Sequence, residues 1–141
     1  MNDTDVLNDI IVTNAVLCLF DWQEFKDALE IIYTSLREGG ALFVFDLMHP
    51  FIHQDVVINE TSLSHPEGIN LHFRPIKKVA EELSFAGFSN SSFHPFEMPI
   101  DLEKPAPDEE VVSYTVTSQE SERMTFRGVI FQPWCHVIAT K

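Results

Sequence analysis

The feature that most constrains the fold is a strand–helix–strand succession in the first third of the chain. The β-branched run Asp9–Thr13 is typical of a strand buried on both faces of a parallel sheet. Asp21 and Glu24 have capping-box spacing, and apolar residues at helical spacing continue until a Gly-Gly pair at 39–40, which predicts the helix end. Ala41–Phe45 is a second continuous apolar strand. We therefore predict a βαβ unit, in which one crossover helix joins two parallel strands.

The rest of the chain gives weaker signals. The segment 46–71 contains Pro, Gly and His residues without periodicity, which predicts an irregular loop or a small insertion over one end of the sheet. A helix is predicted from about Pro75 to a stop at Gly87. The acidic segment 101–110 is predicted to be a solvated loop. Because we find no internal repeat, residues 1–141 are predicted to form a single domain.

Composition excludes several classes of protein. The net charge of -13 opposes binding to a phosphate backbone, so we predict no nucleic-acid partner. No apolar run reaches the roughly 18 residues of a membrane span, and the polar start of the chain does not resemble a secretory signal. Cys18 and Cys135 lie in separate apolar runs, which predicts two buried, reduced thiols and a cytoplasmic location.

Several short motifs occur in a recognisable order. A strand ending in Asn14-Ala15-Val16-Leu17 is followed by a helix, a Leu-Arg-Glu-Gly-Gly turn at 36–40, an apolar strand and a helix ending in Ala86-Gly87-Phe88. The apolar runs 124–131 and 134–141 close the chain. This order resembles the C-terminal half of the class I S-adenosylmethionine-dependent methyltransferases. The resemblance implies an α/β, Rossmann-like half-domain with parallel strands, flanking helices and a C-terminal antiparallel strand pair.

The part of that family's fold which chiefly holds the cofactor is not recognisable here. None of the five glycines forms a G-x-G-x-x-G turn. We therefore expect a fragment, a split gene product or a remnant, with weak or absent S-adenosylmethionine binding by this chain alone. The alternative is a non-catalytic interaction module derived from a methyltransferase. A nucleic-acid methyltransferase is disfavoured by the charge and by the absence of an Asn-Pro-Pro-aromatic turn after Asp9–Thr13.

The resemblance also implies candidate site residues. Asn14, Ala15 and Val16 would lie beside the methionine part of the cofactor, although Asn14 also suits a simple strand end. His49 follows the second strand at its carboxyl end, where ligands collect in open α/β sheets, and is a candidate base or substrate contact. The alternative is that His49 lies in a surface loop and has no role in a site.

The segment His72-Phe73-Arg74-Pro75 resembles a subgroup that acts on small molecules. His72 and Arg74 are weaker candidates for orienting an anionic acceptor, and a structural ion pair is the simpler role for Arg74. We predict no metal site, because Pro50 disfavours a helix through His49 and two imidazoles do not complete a zinc site.

One further expectation concerns assembly. If the family's first strand is missing, Asp9–Thr13 has a free edge whose main-chain groups can pair with another chain. We therefore expect self-association or pairing with a complementary fragment through this edge.

Overall fold

A computed structural model describes residues 7–50, 54–62, 65–106 and 112–141. The described chain contains two α-helices, α1 (Trp22–Ser35) and α2 (Ile76–Ala86), and a short 3-10 helix at Leu17–Leu19. The strands are β1 (Asn8–Asn14), β2 (Leu36–His49), β3 (Val56–Glu60), β4 (Ile69–Pro75), β5 (Asn90–Pro95), β6 (Ser113–Thr117), β7 (Arg123–Arg127), β8 (Ile130–Phe131) and β9 (Trp134–Thr140). No helix in this part of the chain is long and apolar enough to cross a bilayer.

The main sheet is mixed. Its order is β3-β4-β2-β9-β5, and β1 also pairs with the long strand β2. Strands β1 and β4 run parallel to β2, whereas the β2–β9, β5–β9 and β3–β4 pairs are antiparallel. Strands β6, β7 and β8 form a separate antiparallel sheet. The α/β class is therefore confirmed, but antiparallel pairs outnumber the parallel pairs that the resemblance implied.

Both helices cover the same face of the main sheet. Alternate residues of β2 and β9 point toward them, because successive side chains of a strand face opposite sides. The helices contribute Phe25 and Leu29 from α1, and Val79 and Leu83 from α2, each 1% exposed. The buried apolar residues of the two central strands on this face are Leu42, Val44, Met48, Val137 and Ala139.

The opposite face of β1, β2 and β9 is open, and we call it the open face. Val12, Phe43 and Ile138 are register partners across the three strands and are 69%, 37% and 37% exposed. Ile10, one pleat further along β1, is 58% exposed. The prediction that this first strand is buried on both faces is therefore wrong. Only Ile11 of its apolar run packs against the core, because the helices cover one face alone.

The start of α1 is confirmed and its end is corrected. Asp21 accepts hydrogen bonds from the N–H groups of Gln23 and Glu24, and the Glu24 carboxylate accepts from the Asp21 N–H, which completes the capping box. The helix ends at Ser35 rather than at the Gly-Gly pair. The Lys141 ammonium donates to the carbonyls of Tyr33 and Leu36, so the helix end needs no glycine.

The Gly-Gly pair lies inside β2 instead. The register of β1 against β2 shifts between Asn8 and Ile10, so this part of β2 is bulged. Gly39 has a φ of +74°, and a Cβ on Gly40 would lie 2.8 Å from the Arg37 carbonyl oxygen. The bulge in β2 therefore requires glycines here, and the same Gly-Gly pattern in a sequence is also typical of a helix end.

The segment 46–71 is not an irregular loop in its described residues. Residues 46–49 extend β2, and β3 pairs with β4 as an antiparallel hairpin. Val56 and Ile58 point from alternate positions onto the buried Phe73, which gives the hairpin its own apolar side. Of the predicted acidic loop, 101–106 has no regular secondary structure, and 107–110 lies outside the described residues.

The predicted stop of the second helix at Gly87 is confirmed. The helix α2 ends at Ala86, and Gly87 has a φ of +110°, which gives a left-handed C-cap.

The predicted antiparallel pair at the end of the chain is corrected. The segments 124–131 and 134–141 do not pair with each other. The first folds into β7 and β8, while β9 inserts between β2 and β5 because alternate side chains such as Cys135 and Val137 fill the core.

Candidate functional site

The turn that follows β1 has an unusual backbone. Ala15 has a φ of +52°, a left-handed conformation that residues other than glycine adopt uncommonly. Its N–H donates to the Phe45 carbonyl at 2.8 Å, which holds the turn against the middle of β2. Asn14 ends β1 and is exposed, and Val16 precedes the 3-10 helix. The predicted cofactor turn is therefore a fixed, accessible corner at the carboxyl end of β1.

A groove of about 360 Å³ runs along the open face beside this corner. Asn14, Phe45 and His136 form one cross-strand row of its floor, and Val12, Phe43 and Ile138 form the next. The groove is mostly apolar, and the polar side chains that face it, among the residues described as lining it, are Asn14 and His136. It is large enough for part of a cofactor or for a small ligand.

An aromatic cluster closes one end of this groove. The Phe45 ring stacks on Trp134 with 4.9 Å between centroids, and it lies 4.7 Å from the imidazole of His136. Phe96 meets both Phe45 and His136 edge to face, at 5.2 and 5.5 Å. Rings at these separations add to apolar burial and fix each other's orientation. The sequence analysis did not identify this cluster.

His49 is the last residue of β2 and is 3% exposed, so the surface-loop alternative is wrong. It lines a second cavity of about 240 Å³, between the β3–β4 hairpin and the segment that joins β8 to β9. Phe73 and Ile130 are among the apolar residues opposite it. Phe45 and His49 are four residues apart on β2 and share a face, so their backbones are separated by roughly 13 Å along the strand.

Arg74 lies on the helix-covered side and is 3% exposed. Its guanidinium donates to the main-chain carbonyls of Leu17, at 2.9 Å, and Phe20. The guanidinium carbon also lies 4.4 Å from the centre of the Phe25 ring and 5.1 Å from that of Trp22. These contacts fasten the segment after the Ala15 corner to β4. The guanidinium thus serves the fold, with main-chain carbonyls as its direct partners rather than the carboxylate of a predicted ion pair.

Asp46 belongs to the same buried group and was missed by sequence reasoning. It is 2% exposed and accepts hydrogen bonds from the N–H groups of Cys18, at 2.9 Å, and Leu47, at 2.8 Å. Asp46 and Arg74 therefore hold the segment 17–20 from two strands of the sheet. An acidic residue directly after an apolar strand was the available signal, since such ends face the binding edge in α/β sheets.

Burial and neighbouring charges shift the pKa values of the side chains in and beside this buried group. Burial raises the pKa of the Asp46 carboxyl above its ordinary 3.8, against the opposing effects of its hydrogen bonds and of Arg74. Burial, and then the charge of Asp46, raise the pKa of the Cys18 thiol to about 12. Burial and the neighbouring Arg74 lower the pKa of the half-buried His72. His72 is accordingly a neutral imidazole, which suits a hydrogen-bonding role better than the binding of an anion.

The structure does not bring the three predicted acceptor-side residues together. His49 pairs in register with Pro75, and Arg74 pairs with Met48 on the helix-covered face. His72 and Arg74 therefore lie on the opposite face of the sheet from the cavity that His49 lines. The residues that share the open side with the Asn14 corner are His49 and the aromatic cluster. No group of three or more His, Cys, Asp or Glu residues within the described ranges could hold a metal ion.

The fold of this chain is similar to part of the fold of solved S-adenosylmethionine-dependent methyltransferases. An S-adenosylmethionine-dependent methyltransferase of Methanosarcina mazei is similar over 97% of this chain, with a TM-score of 0.62 and 14% identity. The 1,6-didemethyltoxoflavin-N1-methyltransferase of Burkholderia thailandensis, solved with S-adenosylhomocysteine bound, is similar over 99%, with a TM-score of 0.54 and 14% identity. The resemblance inferred from the motifs is thereby confirmed at the level of fold.

The likeness is one of structure rather than of sequence. No protein-family profile and no curated protein matches the chain. The chain spans 60% of the Methanosarcina protein and 46% of the Burkholderia protein.

Proposed function

We propose that this chain supplies the acceptor-side half of an S-adenosylmethionine-dependent methyltransferase that acts on a small molecule. The observation that carries the proposal is the Ala15 corner, which opens onto a groove at the carboxyl end of β1 within a methyltransferase fold. Partial coverage of the similar structures is consistent with a half-domain. We also propose a cytoplasmic location, which the two buried free thiols support.

The residues around the corner fit only part of the cofactor. Asn14 offers hydrogen bonds, and the apolar groove offers a surface for the methionine part. The groove lining, as far as it is described, contains no carboxylate for ribose hydroxyls and no glycine-rich turn for close backbone approach. We therefore propose that the chain alone binds S-adenosylmethionine weakly and does not transfer a methyl group.

Isothermal titration of the chain with S-adenosylmethionine tests this proposal, with weak or no binding expected. A dissociation constant in the low micromolar range would contradict it. When a complementary glycine-rich half is supplied, binding should appear, and Asn14→Phe should weaken it. Asn90→Phe makes the same change at an exposed position of β5 and should leave binding unaltered. Equal affinities of the two variants would remove the Asn14 corner from the cofactor site.

The role proposed for His49 is on the acceptor side, because the residue lines the second cavity and lies well beyond the Asn14 corner. In a reconstituted enzyme, His49→Ala should lower kcat by roughly 100-fold or more, with little change in cofactor affinity. His94→Ala, on the exposed strand β5, is the matched control. Unchanged turnover would return His49 to a structural role.

A second candidate function is that of a non-catalytic interaction module, and the free edge of β1 favours it. Within the described residues β1 pairs only with β2, so its other edge exposes main-chain donors and acceptors beside Ile10 and Val12. The occupant we propose is the remaining part of a methyltransferase fold, bound without methyl transfer, because the similar structures extend beyond the region matched here. Sedimentation velocity should show complex formation with such a half, weakened by Val12→Lys. Self-association alone, or a monomer that ignores the added half, would refute this occupant.

A further inference from the structure

The cavity beside His49 has a composition that restricts its ligand. Val56, Ile58 and Phe73 of the hairpin form one apolar wall, and Ile130 and Phe131 of β8 form another. The described lining contains no Asp, Glu, Lys or Arg. Its hydrogen-bonding side chains are His49 and Gln54. A charged ligand would lose part of its hydration here without gaining a counter-charge from the described lining, so the cavity favours a neutral one.

The size and the aromatic lining restrict the ligand further. An apolar cavity of roughly 150 Å³ is enough to hold benzene. The volume of about 240 Å³ here therefore accommodates a compound of one or two rings. Phe73 is 5% exposed and Phe131 is 40% exposed, so one ring is fixed in the wall while the other is accessible. The His49 imidazole and the Gln54 amide are hydrogen-bonding groups, which suits a single hydroxyl or N–H group on the ligand.

We propose that this cavity binds a neutral one- or two-ring compound with one hydrogen-bonding group. The proposal concerns binding alone and does not depend on the proposed cofactor site. The hydrogen-bonding group is directed toward His49 and Gln54, and the ring packs between the hairpin and β8.

Methyl NMR of the unmodified chain, titrated with indole, tests the binding. Indole is neutral, has two rings and carries one N–H. The methyl signals of Ile58 and Ile130 should shift saturably, with a dissociation constant of about one millimolar or tighter. Benzoate and benzylammonium, which are of similar size but charged, should not saturate these shifts. Equal binding of benzoate, or no saturable shift with indole, would overturn the proposal.

A matched pair of variants locates the site. Ile130→Phe places extra volume in the cavity and should weaken indole binding by roughly tenfold or more. Val129→Phe makes a similar change at the adjacent residue, which is 95% exposed, and should leave binding unchanged. Equal effects of the two variants would refute the location. If Ile130→Phe does not fold, a nuclear Overhauser effect between indole and the Ile58 methyl in the wild-type chain decides the same point.

This test separates the two proposals. No S-adenosylmethionine is present, so failure of indole binding refutes the cavity proposal and does not bear on the cofactor titration. Conversely, indole binding in the cavity together with low micromolar binding of S-adenosylmethionine by the chain alone would support the cavity and refute the half-domain proposal.

Discussion

Replacing Arg74 with methionine should destabilise the fold substantially. Methionine keeps most of the aliphatic stem but removes every donor of the guanidinium. The carbonyls of Leu17 and Phe20 then lose the hydrogen bonds that the guanidinium donates, and the buried Asp46 loses the nearby positive charge that favours its ionised form. The change therefore removes part of the buried Asp46–Arg74 arrangement that holds the segment 17–20 against the sheet.

The size of the effect can be worked from these contacts. A hydrogen bond from a charged donor contributes about 1.5–3 kcal/mol, and those to Leu17 and Phe20 are lost together with a longer one, 3.3 Å, to the Asp21 carbonyl. Contact of the cation with the Phe25 ring adds about 1–2 kcal/mol at a buried site. Removal of the buried charge offsets part of this loss, because burying a guanidinium is itself costly. A net loss of about 3 kcal/mol in the free energy of unfolding is expected, in the range found for breaking buried charge pairs.

The pH dependence has a definite sign. Arg74 lowers the pKa of Asp46, so its removal raises that pKa further above the ordinary value. A carboxyl whose pKa is higher in the folded state keeps its proton there while the unfolded state releases it. The stability of the variant should therefore fall as pH rises from the unfolded pKa through the folded one. Its deficit relative to wild type should be larger at neutral pH than in mild acid.

Urea denaturation followed by tryptophan fluorescence measures this effect, since Trp22 lies beside Arg74. Arg37→Met is the matched control, because the Arg37 side chain is 61% exposed and its ion pair with Asp9 is on the surface. It should change the free energy of unfolding by no more than about 0.5 kcal/mol. If Arg74→Met costs no more than Arg37→Met, the structural role assigned to Arg74 is wrong.

Three further predictions concern packing, backbone and thiol chemistry. Leu83 is 1% exposed, so Leu83→Ala should lower the free energy of unfolding, measured in urea, by about 2–5 kcal/mol. Phe85 is 82% exposed, so Phe85→Ala should lower it by no more than about 0.5 kcal/mol. Similar losses for the two variants would argue against the core described. Gly87→Ala would bring a Cβ within 2.7 Å of the Tyr33 ring and should lower the free energy of unfolding by about 2–3 kcal/mol. Gly39→Ala meets only an unfavourable φ and should lower it less. A lower melting temperature for Gly39→Ala than for Gly87→Ala would contradict this. Cys18, with its pKa raised to about 12, should resist alkylation at mildly alkaline pH until the chain unfolds, and rapid labelling of the native protein would count against its burial.

The parts of the fold that sequence predicted well depend on local chemistry. The capping box at Asp21 and the stop at Gly87 each involve residues within one helical turn, so their spacing identifies them. The Gly-Gly pair was misassigned because a left-handed glycine serves a helix end and a strand bulge equally well. The β3–β4 hairpin was missed because the Pro, Gly and His residues of 46–71 were interpreted as loop signals, although Val56–Ile58 is β-branched and β4 alternates apolar with polar residues.

The candidate site was only partly accessible to sequence reasoning. Positions at strand ends, such as Asn14 and His49, follow from the strand assignments alone. The Asp46–Arg74 arrangement joins residues 28 and 57 positions away from their partners Cys18 and Leu17, and no local pattern encodes such contacts. Which face each candidate occupies depends on the exact strand register, where a shift of one residue exchanges the two sides.

The attachment of the β3–β4 hairpin has a consequence for motion. The hairpin joins β2 through only two register pairs, Met48 with Arg74 and His49 with Pro75, and the Arg74 contacts anchor that same end. Its far end, around Glu60 and Ile69, is held mainly by its own ladder and by the ion pair of Glu60 with Arg127. Fluctuations of low free energy should therefore concentrate there, with amide exchange fastest at the tip and slowest near Arg74. Because the hairpin is also a wall of the His49 cavity, the same fluctuation should change the width of that cavity.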